Sequence, residues 1–338
     1  MRSILAFTLL LFGIAPAFPA AKTLDIYFID VEGGQATLIV SPSGQSLLVD
    51  AGWPGFDGRD ANRIIAAAKA AKIKRIDYLV TTHYHTDHVG GVRQLAERFP
   101  VTTFVDHGPN TESGRNAETL SKEYAEAVAK GKNLVVKPGD TIPLKGLDVK
   151  VVTARGEVLR DPLPGGGAPN PLCAAAIRKN DDPGENARSV GMVVSFGKFR
   201  FIDLGDLTWN KEVELVCPNN PIGTVDLYLS THHGMGVSNP DTIVHALRPR
   251  VAVMNNGARK GGSPEAWQVI RNSPGLEDLW QLHFAIAGGS ENNVAEAQIA
   301  NLDANCQGHW IKVSVQQDGA FTVTNGRNGY QKNYPARE

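Results

Sequence analysis

The stretch that decides the fold is His83-Tyr84-His85-Thr86-Asp87-His88, in which four side chains able to bind a metal fall within six residues. It follows Ile76 to Thr81, an apolar run that predicts a buried strand. Imidazole nitrogens and carboxylate oxygens are the ligands that zinc takes in catalytic sites. In a tight turn after a strand, the first two ligands can serve one ion while the last two turn toward another. The motif therefore predicts metal binding and argues against a merely solvated polar turn.

Other candidate ligands also follow predicted strands. They are His107 after Val101 to Val105, Asp206 after Phe199 to Ile202, and His232 and His233 after Asp226 to Ser230. Each also has a simpler interpretation: His107 as a loop histidine, Asp206 as the cap of a helix over Thr208 to Val216, and one histidine of the last pair as structural. Because side chains that follow strands can converge at one edge of a sheet, together they predict a completed two-metal site.

Strand-like and helix-like segments alternate along the chain, which predicts the α/β class. The strands Leu24 to Val31, Ala36 to Val40 and Ser46 to Asp50 are joined by short turns and predict an antiparallel opening. Helices are predicted to begin at Asp60 and to cover Val89 to Phe99 and Asn116 to Lys130. A further strand is predicted over Thr141 to Leu144, and a final hairpin over Trp310 to Thr324. The longest irregular stretch, 155–188, is expected to be an insertion. No linker divides the chain, so one domain over 21–338 is predicted.

The first 20 residues are typical of a signal peptide. Arg2 precedes the apolar run Ile4 to Ile14, which is too short to span a bilayer, and small residues follow at the expected cleavage region. We therefore expect export to the periplasm or the extracellular space, with no membrane-spanning segment after cleavage. An oxidising compartment permits one disulfide among the three cysteines, and Cys173 and Cys217 are candidates to pair, leaving Cys306.

Composition limits the class of partner. The 338 residues are 42% apolar and 20% charged, which is typical of a globular protein with a sizeable core. The formal net charge of -1 excludes a global basic field for nucleic acid, although a local patch remains open. The expected partner is a small molecule or an anionic polymer, and nucleic acid has no support from the net charge.

The order of the motifs resembles the metallo-β-lactamase superfamily. The resemblance rests on the His-x-His-x-Asp-His motif, a lone histidine, Gly205-Asp206 and a late histidine, and it covers Leu24 to about Asn325. The segments Phe28 to Ala36, Leu48 to Gly52 and His232 to Gly234 are similar to the hydrolase domain of the DNA-uptake competence proteins and its free-standing relatives. The resemblance implies a four-layer αβ/βα sandwich with two zinc ions at one edge.

The resemblance also implies roles for individual residues. The first metal would be held by His83, His85 and His107. The second would be held by Asp87, His88 and His233, with His232 as the alternative to His233, and Asp206 would bridge both. Asp50 is similar to the family's early aspartate, which supports the metal-binding loop from behind.

Two departures from the competence branch bear on function. That branch usually has aspartate where this chain has Gln35, and it commonly lacks an equivalent of His107. An apparently complete first metal shell favours two bound ions. The channel of the competence proteins is absent, which puts nucleic acid in doubt as a substrate.

The predicted chemistry is attack by a hydroxide shared by two metals on an electrophilic carbon or phosphorus, with Asp87 orienting it. Candidate donors to the developing negative charge lie in a glycine-rich loop after a strand: Asn255, Asn256, Arg259 and Lys260. The same basic loop has a simpler interpretation as a solvated surface. Phosphodiesters are the favoured substrates, and lactones, thioesters and β-lactams remain open. The competing protein classes are an iron redox enzyme and a non-catalytic metal-binding module.

Overall fold

The computed structural model describes residues 22–337, so the predicted signal peptide lies outside the described residues. Its strands, in chain order, are β1 (Leu24–Phe28), β2 (Thr37–Val40), β3 (Ser46–Val49), β4 (Ile76–Val80), β5 (Val101–Asp106), β6 (Lys132–Val135), β7 (Asp148–Ala154), β8 (Glu157–Val158), β9 (Ala168–Pro169), β10 (Gly191–Phe196), β11 (Phe199–Asp203), β12 (Asn219–Asn220), β13 (Leu227–Leu229), β14 (Val251–Met254), β15 (Asp278–His283), β16 (Ile299–Asn301), β17 (Ile311–Val315), β18 (Phe321–Asn325) and β19 (Gln331–Tyr334). The helices are α1 (Arg59–Ala70), α2 (Thr86–Val89), α3 (Val92–Ala96), α4 (Arg115–Val128), α5 (Trp209–Val216), α6 (Asp241–Leu247) and α7 (Pro264–Arg271).

Two large sheets form the centre of the molecule. The first has the order β19-β18-β17-β1-β2-β3-β4-β5-β6, and the second has the order β16-β15-β14-β13-β11-β10-β7-β8. Strands β1, β2 and β3 pair antiparallel, as the sequence predicts. The first sheet is parallel from β3 to β6, and the second is parallel from β11 to β16. The carboxyl ends of these parallel strands bring the loops with the polar motifs to the edge of each sheet.

Three apolar clusters define four layers. One cluster fills the space between the sheets and contains Phe28, Phe201 and Trp280. The outer face of the first sheet packs against α1, α3 and α4, and the outer face of the second packs against α5, α6 and α7. Helix α1 follows the predicted pattern, since Ile64 and Ala68 lie four residues apart and are both buried. The predicted αβ/βα sandwich is therefore confirmed.

The helix predicted over Val89 to Phe99 is shorter in the structure: α3 covers Val92–Ala96, and Gly90 and Gly91 separate it from α2, which ends at Val89. A Cβ atom at Gly91 would lie 2.0 Å from Ala51 O, and one at Gly90 would lie 2.2 Å from Thr86 O. The two glycines therefore let the metal-motif turn pack directly on the loop after β3. The predicted strand Thr141 to Leu144 was wrong: only Thr141 pairs, with Lys150, because the chain turns at once from Ile142 to Leu144.

The irregular stretch 155–188 contains only two-residue strands and short 3-10 turns. Cys173 forms a disulfide with Cys217 at the end of α5, so the pairing suggested by the sequence is confirmed. Asn210 of α5 also holds the stretch, because its side chain accepts from Lys179 N at 2.9 Å and donates to Asp181 Oδ1 at 2.7 Å. Despite its lack of regular structure, the stretch is tied to the second helical layer.

Between residues 22 and 337, no helix is both long enough and apolar enough to cross a bilayer.

Candidate metal centre

The polar loops converge at one edge of the sandwich. The carboxyl ends of β3, β4 and β5 carry Asp50, the early histidine motif and His107, and the ends of β11 and β13 carry Asp206 and the His232–His233 turn. His232 N donates to Gly205 O at 3.0 Å, which joins two of these loops directly. Parallel strands end at a common edge, and this is the physical reason that residues distant in sequence meet there.

Four buried side chains form the centre of the cluster: Asp87, His88, Asp206 and His233. Asp206 Oδ2 lies 3.2 Å from His88 Nε2 and 3.3 Å from His233 Nε2. Asp87 Oδ2 lies 3.3 Å from His88 Nε2 and 3.2 Å from His233 Nε2. Two carboxylates and two imidazoles thus point their ligand atoms into one small volume.

His83 and His85 form a second group beside this centre. His83 is fully buried, its ring centroid lies 4.1 Å from that of His88, and its Nε2 lies 3.0 Å from His85 Nδ1. His85 is partly exposed, and its Nε2 contacts Glu112 Oε1 at 2.9 Å. Six of the side chains that the resemblance assigns to the metals therefore lie together: His83, His85, Asp87, His88, Asp206 and His233.

Asp50 orients His88 from behind, in the position that the resemblance implies. Its Oδ2 contacts His88 Nδ1 at 2.7 Å and accepts from Thr82 Oγ1 at 2.7 Å, while Oδ1 accepts from Thr82 N at 2.8 Å. Asp50 is itself fully buried. A carboxylate on the far nitrogen of an imidazole fixes the ring so that Nε2 faces the metal position.

The two histidines of the late turn both reach Asp206. His232 Nε2 lies 3.3 Å from Asp206 Oδ2, and its side chain is 13% exposed, whereas His233 is fully buried and contacts Asp87 as well. Both residues have a left-handed backbone, with φ of 55°. A residue with a Cβ is strained in this backbone conformation, and it keeps the conformation only where the surrounding structure enforces it. Gly261 is part of these surroundings, because a Cβ there would lie 2.2 Å from His233 O.

His107 contacts a carboxylate that is not part of the group around Asp206. Its Nε2 contacts Glu185 Oε2 at 2.9 Å, and this is its only side-chain hydrogen bond among residues 22–337. The same carboxylate accepts from Tyr84 N at 3.2 Å, and its other oxygen accepts from Thr111 N at 2.8 Å. These donors hold the pKa of Glu185 at about 2 despite burial. Because Glu185 contacts His107 Nε2, the role of His107 as a ligand of the first metal stays a prediction.

The electrostatics of the cluster fit a cation. Burial opposes ionisation of Asp206, but attraction to His233, His88 and His232 holds its pKa well below the ordinary value. Burial and the neighbouring His88 lower the pKa of His83 well below its ordinary value, which favours the neutral imidazole that metals require. Asp206 Oδ1 is buried with no hydrogen-bond partner among the described residues. A buried carboxylate oxygen without a donor is costly, and a metal ion would satisfy it.

The loop after β14 contributes one side chain to the centre. Lys260 Nζ contacts Asp87 Oδ2 and lies 5.0 Å from the ring centroid of Trp53. Arg259 is exposed. The prediction of Asn255 and Asn256 as substrate contacts is not favoured, because both are buried: Asn256 donates to His283 O at 2.9 Å, and Asn255 lies between Ser230 and Gln35. Their side chains support the loop from inside.

The motifs did not reveal several partners of the site. Gln35 Nε2 donates to both oxygens of buried Asp203, at 3.0 and 2.9 Å. Burial, with Asp50 nearby, raises the pKa of Asp203 to about 6. An aspartate at position 35 would place a second carboxylate against Asp203, and the glutamine avoids this repulsion. The available signal was the departure at Gln35 itself, whereas Glu112 and Glu185 lie in segments without a recognisable motif.

Residues 29–171 match the family model described as the Metallo-beta-lactamase superfamily. The chain is 31% identical over 117 residues to a hydroxyacylglutathione hydrolase of Klebsiella pneumoniae subsp. pneumoniae, an alignment that spans 35% of this chain and only 37% of that protein.

Two solved structures are similar over much of the chain. The metallo-beta-lactamase fold protein YhfI from Bacillus subtilis has 10% identity and a TM-score of 0.45, and the metal-dependent hydrolase Tm1679 has 15% identity and a TM-score of 0.46. Each comparison covers 76% of this chain and 95% of the other. None of these matches singles out the competence branch. The sequence match identifies residues 29–171 as part of a metallo-β-lactamase superfamily domain, and the motif order and the layered fold agree with it.

Proposed function

We propose that this protein is a dinuclear zinc hydrolase. The observation that carries the proposal is the convergence of three histidines, from two separate segments, on Asp206 Oδ2, while Asp206 Oδ1 has no hydrogen-bond partner among the described residues. Neutral imidazoles and carboxylates are the donor set of catalytic zinc sites. A binding module without catalysis would not need this many ligands at a partly open edge.

The chain's own residues would divide the work as follows. Asp206 would be shared between the two metals, with Asp87, His88 and His233 on one and His83 and His85 on the other, while His232 adds a partly exposed imidazole beside Asp206. His107 as a ligand of the first metal stays a prediction that the Glu185 contact does not favour. When bound, two zinc ions would supply a hydroxide nucleophile near neutral pH and would offset negative charge that develops on the substrate.

We propose an anionic substrate, with phosphodiesters first. Lys260 is the observation in favour: its ammonium group contacts Asp87 and its side chain is 32% exposed, so it lies at the mouth of the site. With metals on Asp87, this cation would be free to pair with a phosphate or carboxylate of the substrate. Thioester hydrolysis is the second candidate, because the curated relative is named as a hydroxyacylglutathione hydrolase.

We further propose that the protein is exported and that 21–338 is its mature domain. The support is the apolar segment after Arg2 and the Cys173–Cys217 disulfide, since disulfides persist mainly in oxidising compartments. Detection of the mature chain in a periplasmic or culture fraction, with its N-terminus sequenced, tests this. A full-length chain retained in the cytoplasm would contradict it.

The proposed activity is tested with zinc-loaded protein on a panel of bis-p-nitrophenyl phosphate, a lactone, an acyl-glutathione thioester and nitrocefin. We expect turnover of at least one substrate, complete loss with a chelator and recovery on adding Zn²⁺. The phosphodiester is expected to be the best of the four. No turnover of any ester, with two zinc ions bound, would favour the non-catalytic binding module.

Lys260→Met should raise KM for an anionic substrate by about 10-fold, since a charge-assisted hydrogen bond contributes roughly 1.5–3 kcal/mol. The value of kcat should change less, because the metals and their ligands remain. Steady-state kinetics on a charged substrate and a neutral one separate these effects. The matched control is Lys198→Met, an exposed lysine at the opposite end of β11 from Asp206. Equal effects on charged and neutral substrates would contradict the anion-binding role.

A further inference from the structure

A second group of metal-capable side chains lies outside the centre described above. It consists of Asp30 and Glu32 after β1, His283 at the end of β15, and Cys306 in the loop before β17; we name it the Cys306 cluster. Asp30 and His283 are fully buried, whereas Glu32 and Cys306 are partly exposed, which leaves a path to solvent. Residues from three distant segments of the chain therefore present one oxygen, nitrogen or sulfur atom each to a common point.

Most contacts within the Cys306 cluster have lengths close to the separation of two ligands on one tetrahedral ion. Cys306 Sγ lies 3.2 Å from Asp30 Oδ2, 3.5 Å from Glu32 Oε1 and 3.8 Å from His283 Nε2, and His283 Nε2 lies 3.7 Å from Glu32 Oε2. Two ligands of one tetrahedral zinc ion are separated by roughly 3.3–3.8 Å, given bond lengths of about 2.0–2.3 Å. The pair formed by Cys306 and Asp30 is slightly closer than this range, and Asp30 Oδ1 and His283 Nε2 are closer still, at 2.8 Å, which is a hydrogen bond between the two side chains.

The net charge of the Cys306 cluster is compatible with a bound divalent cation. Arg63 Nη1 lies 2.9 Å from Asp30 Oδ2 and 3.1 Å from Glu32 Oε1, so one guanidinium faces two carboxylates. Burial and the negative field of Asp30 raise the pKa of the Cys306 thiol to about 12. A divalent ion with a thiolate ligand would make the group neutral, since Arg63 and the ion together balance two carboxylates and one thiolate. Neutrality lowers the cost of burying the charges.

We propose that Asp30, Glu32, His283 and Cys306 bind one Zn²⁺ as a structural site separate from the hydrolytic centre. A thiolate and an imidazole favour zinc over magnesium or calcium, which take oxygen ligands. The site would fix the loop from Asp30 to Gln35. That loop reaches the hydrolytic centre, because Gln35 N donates to Asp87 O at 3.1 Å.

Cobalt substitution tests the site independently of activity. Cys173 and Cys217 are joined, so Cys306 is the free thiol of the three cysteines, and the residues assigned to the hydrolytic centre include no cysteine. Protein reconstituted with Co²⁺ should show a thiolate-to-cobalt charge-transfer band in the near ultraviolet. Cys306→Ala should abolish the band and lower bound metal by one ion per chain, whereas His85→Ala should keep the band.

Two further measurements keep the proposal falsifiable if Cys306→Ala fails to fold. Glu32→Gln leaves the thiol in place and should weaken the cobalt band at limiting Co²⁺. In the unaltered protein, Zn²⁺ should slow the reaction of Cys306 with a thiol reagent by at least about 10-fold relative to the chelated protein. A folded, cobalt-loaded protein without the band, or a thiol equally reactive with and without Zn²⁺, would overturn the proposal and leave the hydrolytic assignment untouched.

Discussion

Asp206→Asn should lower kcat/KM by more than about 100-fold and reduce the bound zinc. Even outer residues that only orient metal ligands cost about 10–100-fold when they are replaced. Asp206 lies closer to the chemistry, because His88, His232 and His233 all converge on its Oδ2 and its Oδ1 is free of donors within the described chain. Asparagine keeps the shape but removes the charge, so the buried histidines lose their common anion.

The measurement is steady-state hydrolysis together with elemental analysis of the same sample. Asp161→Asn is the matched control, because Asp161 is exposed and lies in the irregular stretch. Circular dichroism should show that both variants remain folded. An Asp206→Asn protein that retains full activity and both metals would refute the proposed centre.

Asp50→Asn should weaken zinc binding by about 10–100-fold, the range found for residues that orient a ligating histidine. The carboxylate of Asp50 contacts His88 Nδ1 at 2.7 Å and does not belong to the group around Asp206. Its backbone is left-handed, with φ of 59°, and asparagine tolerates this conformation well. The substitution therefore changes the hydrogen bond and spares the turn.

A metal titration distinguishes this positioning role from a general loss of stability. We expect activity to recover at high Zn²⁺, because the ligands themselves remain, with the midpoint of the titration shifted to higher concentration. Asp50→Ala lacks the amide and should not recover as fully. An unchanged midpoint in Asp50→Asn would mean that the contact with His88 has no role in binding.

The sequence determined much of the fold because strands, helices and turns are encoded locally. Alternating apolar segments placed the early motif after β4 and Asp206 after β11, and the helix predicted after the motif contains Gly90 and Gly91. The glycines interrupt the helix, however, and Thr141 to Leu144 has too little pairing to be a strand. These differences arise because the space available at Gly91 and the pairing of Thr141 depend on other segments.

Only the tertiary structure decided where the loop side chains point. His107 follows a strand as predicted, but the structure adds a partner that no motif revealed, Glu185 from the irregular stretch. His232 and His233 cannot be told apart from sequence alone, and in the structure the left-handed turn that they form brings both to Asp206. Contacts with distant segments also decide that Asn255 and Asn256 are buried and that Lys260 contacts Asp87. Local sequence specifies that a strand ends, whereas contacts with distant segments select the direction of each side chain beyond it.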